Sequence, residues 1–494
     1  MRRPHYESVL EMGFENIEKL RRKLSSLPPV QLKRIKRARW NPRDEYANEM
    51  KKLVYGSPDA NKGFYLFLFD GMVAAGLTMT KSFVCLWYRV DPEVRPDKGH
   101  ILARVAKACS DRKPKPEVQQ LIHCLVAVTE KRVGKHFRGS WQLAVTWVDD
   151  IPNASNNSAW DKNLRDKLKE HCEDGITVDE RVQNCLGMEV QIGEDGSIEL
   201  TVEALITVAM DKYKKFLTVL EDREKHCISP ADESLILDKP TDEEFEEAKE
   251  LPYARLTGIV NYIMARVKPQ MTTISSMLAA HITRWGLRHF KVALRSLVYA
   301  YNTRRQGLLY SPFTTFYGVN VLYSYADADL GADPSGRSRY GGVIMMNGAA
   351  IYWRSKLRLV HLDTCSSELC SAAETTLEGV GINRGLEELT IGATAPMIHF
   401  DDNRSSIIVS YSEGGVKDKA RNYKLSASKL REFVLNGDVM IVYIMTCRQI
   451  ADILTKILGP QQFCQLTDKI TGYWVRWQDG QPPKRYRYSD MEPK

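Results

Sequence analysis

The sequence predicts an α/β (α+β) chain in two main parts. Short β-branched and aromatic runs alternate with stretches of helical periodicity. An acidic, proline-punctuated segment, Ser229 to Glu250, separates the two parts. From Val321 onward the order becomes three strands, a helix, a strand, helices, a strand and a helix. Mixed domains of that kind carry ligands where strand ends meet helix starts. The composition agrees: across 494 residues, 43% are hydrophobic and 27% charged, which excludes fibrous and wholly disordered chains. The formal charge of +8 permits a polyanionic partner without demanding one.

The N-terminal stretch is basic. Between Lys19 and Arg43 lie ten basic residues and no acidic one, in two pieces broken by Pro28-Pro29. Such a run suits phosphates or nuclear import, and equally a solvated helical face. Leu66 to Tyr88 reads as a buried helix followed by a strand near Ser82 to Tyr88. Arg89 to Gly139 is rich in Lys, Arg and Pro and reads as a surface insertion. Gln142 to Val148 alternates as a strand, and Lys162 to Glu173 reads as a charged helix. Val182 to Ile192 and Ser197 to Val202 suit a hairpin turning at Glu194-Asp195-Gly196. After the acidic linker, helical periodicity runs from Tyr253 to Arg305.

The last domain is expected to hold strands at Val321 to Ala328, Tyr340 to Asn347 and Ala350 to Ser355. A helix from Ser367 to Leu389 follows, then a strand at Met397 to Asp401. Helices at Arg404 to Tyr411 and Ala420 to Asn436, a strand at Val439 to Met445 and a helix from Arg448 to Leu458 complete it. The ten cysteines form no Cys-x-x-Cys pair, which suits reduced thiols in an intracellular protein. The longest apolar stretch, Gly63 to Met79, is interrupted by Asp70 and is too short to span a membrane. A soluble cytoplasmic or nuclear protein is the expectation.

Four acids fall at element edges in the last domain. Asp327 lies near the end of its first strand. Glu368 sits in the first turn of a helix that Ser366 or Ser367 can cap. Asp402 closes the fourth strand, and Asp452 falls in the first turn of the last helix. Carboxylates converging this way suit Mg²⁺ or Mn²⁺, and two such ions can hydrolyse a phosphodiester. On pattern alone each acid is better read as structural, Glu368 and Asp452 as complements to helix dipoles and Asp402 as a turn residue. Asp149-Asp150, after the apolar strand Leu143 to Val148, form a second metal-site candidate at a tight turn. Taken alone, that pair reads as a solvated turn.

The motifs do not stand alone. Leu143-Ala144-Val145 with Trp147-Val148-Asp149-Asp150 resembles the catalytic hairpin of copia-type retrotransposon reverse transcriptases. Leu53-Val54-Tyr55-Gly56 resembles the substrate-side segment, and Leu186-Gly187-Met188-Glu189 the primer-grip region. Tyr325-Ala326-Asp327-Ala328-Asp329, Ile351-Tyr352-Trp353-Arg354-Ser355-Lys356, Ser366-Ser367-Glu368, Asp402-Asn403 and Ala451-Asp452-Ile453-Leu454-Thr455-Lys456 resemble the copia ribonuclease H domain. The resemblance covers roughly residues 50 to 470.

It implies a fragment or decayed copy of a retrotransposon Pol polyprotein. The parts would be a basic segment (1–50), a partial reverse-transcriptase palm (51–228, with insertion 89–139), and a linker and helical connection (229–317). A ribonuclease H-like domain (318–470) and a polar tail (471–494) would follow. It further implies Asp327, Glu368, Asp402 and Asp452 as metal ligands, with RNA–DNA hybrid and single-stranded nucleic acid as partners. Nothing in the sequence names a protein partner.

Several residues depart from the family pattern. No upstream strand supplies the palm with a third Asp. Pro152 follows the Asp pair, where it would cost a ladder bond. Asn422 and Ser428 stand where the family has His, and Cys370 replaces a Glu. A non-catalytic nucleic-acid-binding remnant is therefore the alternative reading.

Overall fold

The computed structural model describes residues 68–90 except 84, 140–146, 150–172, 176–179, 182–311, 322–333, 336–358, 360–361, 363–389, 397–412 and 423–476. The basic segment 19–43, the motif at Leu53 to Gly56, the insertion beyond Val90, Asp149 and Asn422 lie outside them. The described residues fall into two compact units, 68–90 with 140–179, and 182–476.

The first unit is a small antiparallel sheet with a helix over 68–74 and the helix α1 (Ser158–His171). The strands β1 (Thr78–Met79), β2 (Leu86–Val90), β3 (Trp141–Val145) and β4 (Asn153–Ser155) pair in sequence order. Arg89 and Val90 thus belong to β2 and not to an insertion. Trp87 anchors the core: it is fully buried, its indole Nε1 donates to Thr146 Oγ1 at 3.2 Å, and its ring meets Phe69 edge-on. A buried Trp needs such a partner for its N–H. Leu164 and Leu168, four apart on α1, add the helix's apolar stripe. The side chain of Asn157 caps α1 by accepting from the backbone N–H groups of Ala159 and Trp160. Pro152 sits just ahead of β4, and its carbonyl accepts from the Val145 N–H at 3.0 Å. The ring therefore stands outside the strand, where its missing donor is tolerated.

The second unit opens with a small antiparallel sheet of β5 (Asn184–Cys185), β6 (Met188–Ile192), β7 (Ile198–Thr201) and β8 (Leu308–Tyr310). The expected hairpin turn is present, with Gly196 at φ +78°. The Glu189 carboxylate accepts from Thr201 Oγ1 and from the N–H groups of Glu203 and Ala204, at the start of the helix α2 (Glu203–Tyr213). Burial pushes its pKa up, but those hydrogen bonds outweigh it and hold the pKa below the usual glutamate value.

The helical connection comprises α3 (Tyr253–Val267), α4 (Thr272–Ala279) and α5 (Leu287–Asn302). Its core is continuous with the last sheet: Ile263, Leu278 and Phe290 share one cluster with Val343, Met345 and Leu454. The segment read as a linker is part of that core. Ser229, Ala231, Leu237 and Ala248 are buried, and Asp232 pairs with Arg295. Its apolar residues, spaced between the prolines, dock on the helices while its acids stay outside. The compact division falls near residue 180, not at 228.

The last sheet has five strands: β9 (Leu322–Asp329), β10 (Arg339–Met346), β11 (Ala349–Leu357), β12 (Met397–Asp401) and β13 (Val439–Tyr443). Their order is β11-β10-β9-β12-β13. The first three pair antiparallel, whereas β12 runs parallel to β9 and β13. With the helices α6 (Thr364–Glu388), α7 (Arg404–Tyr411) and α8 (Lys424–Leu435), this is the expected α/β arrangement.

Two adjacent glycines on β10 let both sides of the sheet close up. A Cβ on Gly342 would run into Thr375 of α6, and one on Gly341 into Leu454 and Thr455. The segment expected as a helix over 448–458 is instead two 3₁₀ turns, Thr446–Arg448 and Ile450–Leu454. Side-chain bonds from Gln449 and Thr455 to Ala326 and Asp327 of β9 tie it at both ends. Beyond it lies a further helix not among those expected, α9 (Pro460–Thr471). Pro460 stands in its first turn, and Phe463, Leu466 and Ile470 are buried. Tyr473, expected in the polar tail, is buried, and residues 477–494 lie outside the described ones. Among the described residues no helix is long and apolar enough to cross a membrane.

Candidate metal centre

Strand alternation places Tyr323, Tyr325 and Asp327 on one face of β9, with Asp327 near its end. Glu368 comes from α6, whose start differs from expectation. The carboxylate of Asp363 caps the helix by accepting from Ser366 N at 2.7 Å, and α6 begins at Thr364. Ser366 and Ser367 lie inside the first turn, so Glu368 falls in the second.

Asp401 and Asp402 divide two tasks. Asp401, the last residue of β12, accepts from Asn403 N at 2.7 Å and from Ser406 Oγ at 2.5 Å. Asn403 in turn caps α7 by accepting from Ser406 N. Asp401 therefore fixes the turn and leaves Asp402 free to face the site. Asp452 is held within the second 3₁₀ turn.

The structure brings Asp327, Glu368 and Asp402 together: one carboxylate oxygen from each lies within 4.8 Å of the others. Asp452 stands beside this group, linked through Lys456. The Lys456 Nζ lies 3.1 Å from Asp452 Oδ1 and 3.3 Å from Asp327 Oδ2. Thr455 Oγ1 also donates to Asp327, and Gln449 Nε2 lies 3.4 Å from Asp402 Oδ1. Lys456 closes the Ala451–Lys456 motif, but its role and those of Asp363, Asp401 and Gln449 emerge only from the fold. The i, i+4 spacing of Asp452 and Lys456 is the one local signal that could have found the pair.

Crowding buried acids raises their proton affinity. Asp327 and Asp452 are each 3% exposed, and Glu368 is 9% exposed. Burial, and then the charges of Asp327, Asp401 and Asp402, push the Glu368 carboxyl up to about 10. Burial and Asp327 push Asp452 up to about 7, against the opposing pull of Lys456. Asp401 rises to about 6, chiefly through burial. Three converging carboxylates whose crowding raises their proton affinity are a donor set that a hard divalent cation would satisfy in place of protons, so the residues fit Mg²⁺ or Mn²⁺.

Among the described residues, Asp150, Ser428 and Cys370 belong to no such group. Asp150 is exposed in the connection between β3 and β4, and Asp149 lies outside the described residues. Ser428 is exposed on α8. Cys370 packs with Ala328 and Tyr340. Among the described residues the Asp327 cluster is the only group of three or more potential metal ligands.

No protein-family model matches the chain. Its relatives include the transposon Ty1-DR6 Gag-Pol polyprotein of Saccharomyces cerevisiae, 25% identical over 344 residues, or 67% of this chain and 19% of that one. The transposon TyH3 Gag-Pol polyprotein of the same organism matches at 25% over 344 residues, with the same coverage. The chain thus spans about one fifth (19%) of the length of the curated relatives it matches. Among solved structures, the N-terminal RNase H domain of a Mycobacterium tuberculosis protein overlays 30% of this chain and 96% of its own, at 12% identity and a TM-score of 0.20. The prototype foamy virus protease-reverse transcriptase overlays 76% of this chain and 49% of its own, at 12% identity and a TM-score of 0.21.

Proposed function

We propose that this chain, whose similarity to the Ty1 (copia-type) Gag-Pol polyproteins supports a retroelement reverse transcriptase/ribonuclease H-like reading, is a metal-dependent nuclease that cuts the RNA strand of RNA–DNA hybrids. The observation that carries this reading is the convergence of Asp327, Glu368 and Asp402 within 4.8 Å. Mg²⁺ or Mn²⁺ held by these carboxylates would supply the Lewis acidity that polarises a phosphodiester and activates water.

The protein's own part is to fix the ligands. The ladder of β9 holds Asp327, and the Asp363 cap seats the turn that carries Glu368. The Asp401–Ser406 bond and the Asn403 cap fix the turn at Asp402. Ligands on strands and capped helices hold their geometry better than ligands on loops. Recognition of a hybrid would follow duplex shape and the 2′-hydroxyl of the RNA strand, and would not depend on base sequence. For the N-terminal unit, the lack of an upstream third Asp pattern in the sequence favours a non-catalytic role, and among the described residues Asp150 belongs to no group of potential metal ligands; single-stranded nucleic acid is a further proposed partner of the chain.

The test is a cleavage assay on a labelled RNA–DNA hybrid, with single-stranded RNA and duplex DNA as controls. Cleavage of the hybrid's RNA strand in Mg²⁺ or Mn²⁺, stopped by chelation, is expected. Absence of cleavage at every concentration of either ion would leave the non-catalytic binding remnant as the reading.

A further inference from the structure

Given the nuclease reading above, we infer that Lys456 stands in a second cation position of the site, so that the chain takes up one divalent ion and supplies the other positive charge itself. The four carboxylates fall into two sets that share Asp327. Asp327, Glu368 and Asp402 present oxygens within 4.8 Å of one another. Asp452 does not join that group; its Oδ1 meets Lys456 Nζ at 3.1 Å, and the same Nζ reaches Asp327 Oδ2 at 3.3 Å. One set is a pocket for a cation, and the other already holds one.

The lysine is built into this position. Its backbone N–H donates to the Asp452 carbonyl at 3.0 Å, which fixes it one turn after its partner. Both carboxylates it bridges are 3% exposed. Among the described residues no other basic side chain comes within 4.0 Å of either. An ammonium is a compact point charge that suits two carboxylates at once. A second divalent ion between Asp327 and Asp452 would have to displace it. In an ordinary surface pair both partners are solvated; here both carboxylates are buried, and only the lysine side chain, 39% exposed, meets solvent.

Titration of the full chain with Mn²⁺ tests this, read by the loss of the free-ion paramagnetic resonance signal and by thermal melting. Wild type and Lys456→Arg should each take up one equivalent. Lys456→Met, and Lys456→Gln should the first not fold, should take up two, with a larger Mn²⁺-dependent rise in Tm than wild type. Two equivalents on wild type, or one on the uncharged variants, would overturn the role of Lys456 while leaving the nuclease reading intact. No Mn²⁺ uptake by any of the chains would overturn both.

Discussion

Asp150 follows an apolar strand and Asp327 lies near the end of one, yet the two carboxylates occupy different surroundings. Asp150 is exposed in the connection after β3, and among the described residues no group of metal ligands includes it. Asp327 is 3% exposed, accepts from Thr455 and Lys456, and shares its space with Glu368 and Asp402. The difference lies in what comes from elsewhere in the chain. Asp149-Asp150 is a local doublet in sequence, and the exposed Asp150 can spread its charge into water. The Asp327 cluster gathers acids from a strand, a helix and a turn, and burial turns their mutual repulsion into raised proton affinity. A pair of adjacent acids therefore says little about a site, whereas acids delivered by separate rigid elements say much.

The largest contrast should appear between two activities of one chain. Hybrid cleavage is expected, and template-directed extension of a primer is not, with either Mg²⁺ or Mn²⁺, because a two-metal displacement needs a third carboxylate beside Asp149 and Asp150. Extension that disappears in Asp149→Asn would break the comparison.

A smaller effect concerns stability in the absence of metal. The Glu368 pKa rises on folding to about 10 and that of Asp452 to about 7. Groups raised on folding favour the native state below their unfolded pKa, and that advantage fades as pH climbs through the folded value. The Tm of the metal-free chain should therefore lose this contribution between about pH 4 and 10. Glu368→Gln should flatten the loss, and added Mn²⁺ should do the same at neutral pH; parallel wild-type and Glu368→Gln profiles would count against a crowded site.

Lys268 should show the opposite slope. It is fully buried, donates to the carbonyl and hydroxyl of Thr303, and burial pulls its pKa down to about 7. The unfolded chain then binds more protons between about pH 7 and 10.5, so this group makes stability rise with pH there. Comparison of Lys268→Met with wild type in chemical denaturation should remove that rise. The smallest effect concerns residues 19–43. If they contact phosphates, each neutralised phosphate adds about −0.9 to the slope of log affinity against log salt on duplex. Deletion of residues 1–43 should flatten that slope, and an unchanged slope would return the segment to a solvated face.

Much of the last domain was legible because its signals are local. The strand Met397–Asp401 and the helix Arg404–Tyr411 coincide with the sequence reading, and β9 to β11 begin within a residue of it. The 3₁₀ turn at Ile450–Leu454 was not legible, because its residues suit a helix and tertiary bonds to β9 override them. The packing of residues 229–250 was hidden by their acids, which point outward while a few apolar side chains dock. α9 carries a local signal of its own, a Gly459-Pro460 start and an i, i+3, i+7 stripe of Phe463, Leu466 and Ile470. At the site, the four acids took on meaning only through the family resemblance. Their convergence joins residues far apart in sequence, as Asp327 with Thr455 shows, and no local pattern encodes that.

The measurement that bears most directly on this account is hybrid cleavage by Asp402→Asn beside wild type. Asn keeps the volume of Asp402 and removes its charge, while Asp401 retains the bonds that shape the turn. Cleavage of the RNA strand should fall by more than ~100-fold, beyond what loss of an outer-shell partner costs a metal site. Mn²⁺ binding should weaken, and hybrid binding and Tm should stay close to wild type. An Asp402→Asn chain that cuts the hybrid as fast as wild type would contradict the account and make the carboxylate cluster a structural feature.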